Sequence, residues 1–303
     1  MRWNHDDAGG GMRVGHVGVI GLGNMGLNMA RTLVRQGFTV LGFDLSAERQ
    51  AMAAAAGIQA AGLATLLRTV DAVVSSLPYG RDVEAVLTTA DGLLDRRDRR
   101  VVVVDTSTAD PATSRRLAAL LASAGHGHLD APVSGGPAGA GEGKLTMMIG
   151  GDAADVAAAR AVIDALASTA VHVGPSGAGN VAKLVNNMLV AAHMLTTGEA
   201  VRLAEAAGVP AEAVLRVVNA ATGRSGISEV HFPRWVMTGT ESGFAAGLMR
   251  KDVGLAAELV AETGLDLPLS RAVARLWLDD RETVADHEDF TRMAGYRPKG
   301  DQA

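Results

Sequence analysis

Lys183 is followed by Asn186 and Asn187 at i+3 and i+4. On a helix, Lys183 and Asn187 share one face. An ammonium beside an amide suits proton transfer to or from an alcohol oxygen once burial lowers the lysine pKa. A helical lysine taken alone is usually a solvated surface charge, a reading weakened here by its apolar surroundings. A second cluster, Asp130-Ala131-Pro132-Val133-Ser134-Gly135-Gly136-Pro137, sets a hydroxyl beside bare backbone amides. Ser134 and the N–H groups of Gly135 and Gly136 can hold a carboxylate. An ordinary strand-to-helix turn explains the same residues equally well.

A third cluster, Gly21-Leu22-Gly23-Asn24-Met25-Gly26, has G-x-G-x-x-G spacing. It leaves an apolar strand, opens a helix and has Asp44 some twenty residues on, the context that turns a weak spacing into a dinucleotide fingerprint. Gly21 allows the tight turn, Gly23 the approach of a pyrophosphate and Gly26 close packing of the helix. The helix N-terminus offers free N–H groups to phosphate. Asp44 can accept hydrogen bonds from the adenosine ribose and would repel a 2′-phosphate, so NAD is expected over NADP. The alternative is a glycine turn followed by a helix-capping aspartate.

Positioning these clusters requires an alternation of short apolar runs and helical segments, the pattern of a mostly parallel α/β sheet of Rossmann type. Strands are expected at 14–20, 39–43, 72–77, 101–104, 127–132, 145–149 and 171–173, with a first helix over 24–36. The run Val101–Val104 is apolar throughout, as in strands covered on both faces. From Gly177 to about Ala206 one long helix is expected, with Val181, Leu184, Met188, Ala191 and Leu195 at helical spacing. It opens an all-α second domain with further helices near 211–220, 248–263 and 270–278. The domains expected are a leader over 1–12, a dinucleotide-binding domain over 13–175 and a helical substrate and oligomerisation domain over 176–303.

The 303 residues suffice for two domains. Apolar residues make up 48% and charged ones 20%, which excludes a disordered chain. The net charge of -5 argues against a nucleic-acid surface. The absence of cysteine excludes disulfides, thiolate-bound zinc and cysteine nucleophiles. No apolar run reaches a membrane span, and a cytoplasmic protein is expected. His126 and His128 read as surface or loop histidines rather than metal ligands, and no metal is expected.

Together the glycine turn, Asp130–Gly136, Gly177–Asn187 and Lys251-Asp252 resemble the β-hydroxyacid dehydrogenases, the family of 3-hydroxyisobutyrate dehydrogenases and tartronate semialdehyde reductases. The match runs in order from about Val14 to Met293. The resemblance implies that Lys183 is the catalytic acid/base and that Asn187 holds the substrate. It implies that Ser134, Gly135 and Gly136 bind the substrate carboxylate. Leu77, Pro78 and Thr108 would lie by the nicotinamide, and Lys251 would close over the cofactor. Asp82 and Lys144 depart from the family pattern. The activity implied is reversible NAD-dependent oxidation of a 3-hydroxy acid to its semialdehyde, in a homodimer or homotetramer. An imine reductase and a non-catalytic NAD(P)-binding scaffold are the alternatives. Lys183 speaks against both, because such relatives have lost the lysine. Arg224 or His231, in the stretch 223–231, are candidates to touch a polar substituent of the substrate.

Overall fold

The computed structural model describes residues 15–90, 92–279 and 281–297; the leader assigned to 1–12 lies outside them. The chain divides between Lys183 and Leu184 into two compact units. The first is built on β1 (His16–Ile20), β2 (Thr39–Phe43), β3 (Gln59–Ala60), β4 (Ala72–Ser75), β5 (Val102–Asp105), β6 (Gly127–Asp130), β7 (Val133–Ser134), β8 (Leu145–Gly150) and β9 (Ala167–Gly174). Their order is β3-β2-β1-β4-β5-β6-β8-β7, with β9 also paired to β8. Strands β1 to β6 pair in parallel, whereas β8 is antiparallel to β6 and β7. The doubly wound order 3-2-1-4-5-6 places a ligand crevice at the carboxyl ends of the strands.

The helices of this unit are α1 (Asn24–Arg35), α2 (Ala47–Ala55), α3 (Leu63–Thr69), α4 (Gly80–Leu87), α5 (Pro111–Ser123), α6 (Gly136–Glu142), α7 (Ala153–Ala158) and α8 (Arg160–Leu166). They explain the unbroken apolar strands. Val102 and Val104 belong to one buried cluster with Leu27, Met29 and Leu33 of α1, while Val103 belongs to another with Leu117 and Leu121 of α5. Consecutive strand residues point to opposite faces, so each face needs its own apolar cover.

Helix α9 (Ala178–Ala206) runs 29 residues, roughly 44 Å, and is followed by α10 (Ala211–Ala220), α11 (Ala246–Thr263) and α12 (Pro268–Leu278). The expected all-α second half is therefore present. Its core gathers Ala191, Met194, Phe232, Met249, Trp277 and Phe290. Trp277 is fully buried and donates its indole N–H to Ala191 O at 3.2 Å. Arg250 is buried too, with its guanidinium on Trp277 O (2.8 Å), Val284 O (2.6 Å) and Asp286 Oδ1 (2.6 Å). Residues Ile227–Val236, which overlap the end of the stretch 223–231, form a wide π-helical segment around Pro233. No helix among the described residues is long and apolar enough to cross a membrane.

The reading of His126 and His128 as surface or loop residues is corrected: both are buried. His126 is satisfied, its Nδ1 accepting from Val101 N (3.1 Å) and its Nε2 lying 2.7 Å from Leu93 O. His128, in β6 opposite Val103, has no hydrogen-bond partner for either ring nitrogen among the described residues. Burial pushes its pKa from 6.5 down to about 4. Between those values the unfolded chain binds more protons than the folded one, so this histidine makes stability fall as pH falls. The full effect is roughly 3 kcal/mol. His128→Leu is expected to be stabilised relative to wild type by about that amount on going from pH 7 to pH 4. Urea unfolding of both proteins across this range measures it, and a pH-independent difference would contradict it.

Candidate active site

At the end of β1 the chain turns through Gly21 at φ +89°, where a Cβ would collide with Ser76 O and approach Leu77 within 2.9 Å. Gly26, in the first turn of α1, lies against that turn; a Cβ there would fall on Gly21 O. Gly23 is different, since a Cβ would meet nothing within 4 Å. Protein packing therefore does not require a glycine at 23, and the open space over it fits an approaching pyrophosphate. Gly23 precedes α1 with no side-chain cap, and the first turn carries no acid that would oppose an anion.

Asp44 follows β2 and holds this turn. Its Oδ2 accepts from Leu22 N at 2.6 Å and its Oδ1 from Ser46 N at 2.8 Å. Ser46, not Asp44, caps α2, so the helix-capping alternative fails. Arg49 reaches back from α2 to Asn24 Oδ1 at 3.2 Å, and Met25 packs against the core on the α1 side.

The segments carrying Leu77-Pro78 and Thr108 leave the adjacent strands β4 and β5. A buried carboxylate joins them: Asp105 Oδ1 accepts from Ser75 Oγ (2.8 Å) and Ser107 N (3.1 Å), while Ser107 Oγ accepts from Leu77 N (2.9 Å). Thr106 donates to Ser75 O through both its N–H (2.9 Å) and its hydroxyl (2.7 Å). Burial pushes the Asp105 pKa up to about 6 against these hydrogen bonds, with the neighbouring Asp130 adding to the rise.

Beyond β7 the chain turns at Gly135 and Gly136 with φ +121° and +61°, backbone states that side chains other than glycine's rarely adopt. A Cβ on Gly136 would meet nothing within 4 Å, so the loop faces open space beside Ser134. Lys183 stands on α9 with only 9% of its surface exposed, and its Nζ donates to Val133 O at 2.9 Å. The first unit thus brings the predicted lysine to the residue preceding Ser134. Lys144, one of the two departures, is exposed and pairs with Glu142 at 2.9 Å. The other, Asp82, lies in the first turn of α4 near Arg81.

In the second unit Asn187 is buried and donates from Nδ2 to Asp252 Oδ2 at 2.6 Å. Its Oδ1 accepts from Asn186 at 3.1 Å. The Lys251 ammonium lies 3.2 Å from Asp252 Oδ1. The predicted pair Asn187 and Lys251 therefore meets on one buried carboxylate to which sequence reasoning gave no role. In the stretch 223–231, Arg224 is exposed, and His231 packs edge-on against Trp235 and Phe290. One signal in the sequence could have sharpened the lysine assignments. The only lysines are Lys144, Lys183, Lys251 and Lys299, among 28 basic residues. Arginine does the surface work, and two of these four lysines are among the predicted site residues.

Two family models cover most of the chain. The NAD-binding domain of 6-phosphogluconate dehydrogenase matches residues 16–174. The "NAD-binding of NADP-dependent 3-hydroxyisobutyrate dehydrogenase" matches 177–296. The chain is 34% identical to 2-(hydroxymethyl)glutarate dehydrogenase of Eubacterium barkeri, over 91% of this chain and 93% of that one. It is 37% identical to the NAD-dependent L-serine dehydrogenase of Pseudomonas aeruginosa, over 86% and 90%. A solved structure of Mycobacterium tuberculosis 3-hydroxyisobutyrate dehydrogenase with L-serine superposes with a TM-score of 0.85 at 34% identity, covering 93% of this chain and 98% of that one. With its dinucleotide turn, its buried lysine and these relatives over nearly its whole length, the chain belongs to the β-hydroxyacid dehydrogenase family and is an NAD(P)-dependent hydroxyacid dehydrogenase.

Proposed function

We propose that this enzyme oxidises the primary alcohol of a 2-substituted 3-hydroxypropanoate to the corresponding semialdehyde, and reduces it in reverse. The observation that carries the reading is the buried Lys183 ammonium on Val133 O, beside the Ser134–Gly136 loop. The substrates named for the relatives, 3-hydroxyisobutyrate, L-serine and 2-(hydroxymethyl)glutarate, share a CH2OH group on the carbon that bears a carboxylate. They differ only in the third substituent: methyl, ammonium or carboxyethyl.

In this reading Ser134 Oγ and the N–H groups of Gly135 and Gly136 hold the carboxylate common to all three. Lys183, as the neutral amine, takes the proton that leaves the hydroxyl during oxidation and, as the ammonium so formed, gives it to the forming alkoxide during reduction. When bound, the nicotinamide supplies the acceptor for the hydride lost by the carbinol carbon. Asn187, oriented by Asp252, holds the substrate, and Lys251 serves the cofactor. Rates of NADH formation with these three acids, with 3-hydroxypropanoate and with the secondary alcohol 3-hydroxybutyrate test the class. Turnover confined to secondary alcohols would overturn it.

NAD is the expected cofactor. The Asp44 carboxylate, fixed between the N–H groups of Leu22 and Ser46, puts negative charge where the 2′-phosphate of NADP would have to lie. Wild type is expected to prefer NAD over NADP in kcat/KM by roughly tenfold or more, about 1.4 kcal/mol. Asp44→Ser should shrink that ratio. Equal use of the two cofactors by wild type would refute the assignment.

A further inference from the structure

Of the N–H groups of Gly177, Ala178 and Asn180 at the start of α9, only that of Ala178 finds a local acceptor in this turn, Pro175 O at 2.9 Å. The N–H groups of a helix start need acceptors, and those of Gly177 and Asn180 find theirs on β6, about fifty residues earlier in the chain. Asp130, fully buried, accepts from Gly177 N through Oδ1 (2.7 Å) and from Asn180 N through Oδ2 (2.9 Å). Two glycines let the helix start sit directly on the sheet. A Cβ on Gly150 would come within 2.6 Å of Asp130 Oδ1 and 2.7 Å of Gly179 N. A Cβ on Gly179 would collide with Asp130 O. Asn180 extends the anchor sideways, accepting from Ala109 N (3.1 Å) and donating to Ser114 Oγ (2.9 Å).

Lys183 lies one turn beyond Asn180, and its Nζ rests on Val133 O, three residues beyond Asp130. The end of β6 therefore holds the helix backbone at Asp130, and the start of β7 holds the lysine head at Val133. The geometry assigns Asp130 as a positioning residue that fixes where the Lys183 ammonium stands relative to the Ser134 loop. Its carboxylate touches neither reacting group and acts through the helix. The inference rests on the proposed role of Lys183 as acid/base.

The test uses Asp130→Asn, which puts an N–H donor against one of the two helix N–H groups. With only four lysines in the chain, acetylation by a water-soluble succinimidyl ester can be read at each lysine by peptide mass spectrometry. Labelling of Lys183 relative to the exposed Lys144 is expected to rise on the order of fivefold, with Lys251 unchanged. Turnover should fall about 10- to 100-fold, as for a misplaced catalytic group, while the NAD dissociation constant stays within about twofold. In a Lys183→Ala background the same substitution should cost nothing further. An unchanged labelling ratio, or an equal loss of turnover in both backgrounds, would overturn the assignment. Labelling needs no substrate, so a silent substrate panel would count against the proposed activity alone. Should Asp130→Asn fail to fold, amide exchange in wild type decides. The Gly177 and Asn180 amides are expected to be protected like the sheet core, and fast exchange at either refutes the anchor.

Discussion

Lys183→Ala is expected to lower turnover by about 10³-fold or more, near the upper range for loss of a general acid/base, while leaving NAD binding unchanged. The separation follows from the placement of the two sites along the first unit. The cofactor turn is held by Asp44 and by contacts between Gly21 and Gly26, none of which involves α9. Lys183→Arg should be nearly as impaired, because a guanidinium keeps its charge and cannot give up a proton near neutral pH. Removing the ammonium leaves Val133 O without this donor, so a modest loss of stability of about 1 kcal/mol is also expected. Steady-state kinetics with calorimetric NAD titration separates the effects. Turnover in Lys183→Ala within tenfold of wild type would remove the lysine from the chemistry.

The second large effect distinguishes two glycines of one motif. Gly26→Ala should destabilise the protein without any ligand, since its methyl group must displace the Gly21 carbonyl and with it the turn. Overpacking of this kind costs about 1–3 kcal/mol, and here it falls on backbone that cannot move aside as a side chain would. Gly23→Ala should leave the unfolding midpoint of the ligand-free protein almost unchanged, because its methyl group enters space where, chain neighbours aside, no atom of the described residues lies within 4 Å. If the pyrophosphate passes over Gly23 as proposed, the same methyl group stands in its path, and NAD should bind about 30-fold more weakly, roughly 2 kcal/mol. Thermal unfolding with and without NAD measures both variants. If Gly23→Ala binds NAD like wild type, the open space over the turn is not the pyrophosphate site.

The elements legible in the sequence are those whose signal is local. Strand β1, the glycine turn and α1 form one contiguous pattern, and α9 announces itself through helical spacing. Strands β3 and β7 have two residues each, too few for any periodicity, and they exist only because β2 and β8 supply partners. The histidines misled for a related reason. His126 and His128 flank a glycine in a polar-looking stretch, yet His128 lies within the wholly buried β6 and His126 is buried just before it. The π-helical segment around Pro233 was hidden because a proline inside a helical run reads as a break.

At the site, the groups expected to touch ligand can be named from the sequence, whereas the carboxylates bonded around them cannot be assigned a part from it. Asp252 and Asp130 act on residues 65 and 47 to 50 positions away. Asp105 acts between two strand ends. No spacing rule encodes such pairings, which arise only when the sheet and the helices are assembled.

In the proposed reaction hydride leaves the primary carbinol carbon of a 3-hydroxy acid. Turnover of 3-hydroxyisobutyrate deuterated at that carbon, with the nicotinamide product analysed by mass spectrometry, reports where the hydride comes from. The predicted result is NADH carrying one deuterium, formed by wild type and not by Lys183→Ala at a comparable rate. NADH formed without deuterium, or no reaction with this or any other 2-substituted 3-hydroxypropanoate while NAD still binds, would contradict it.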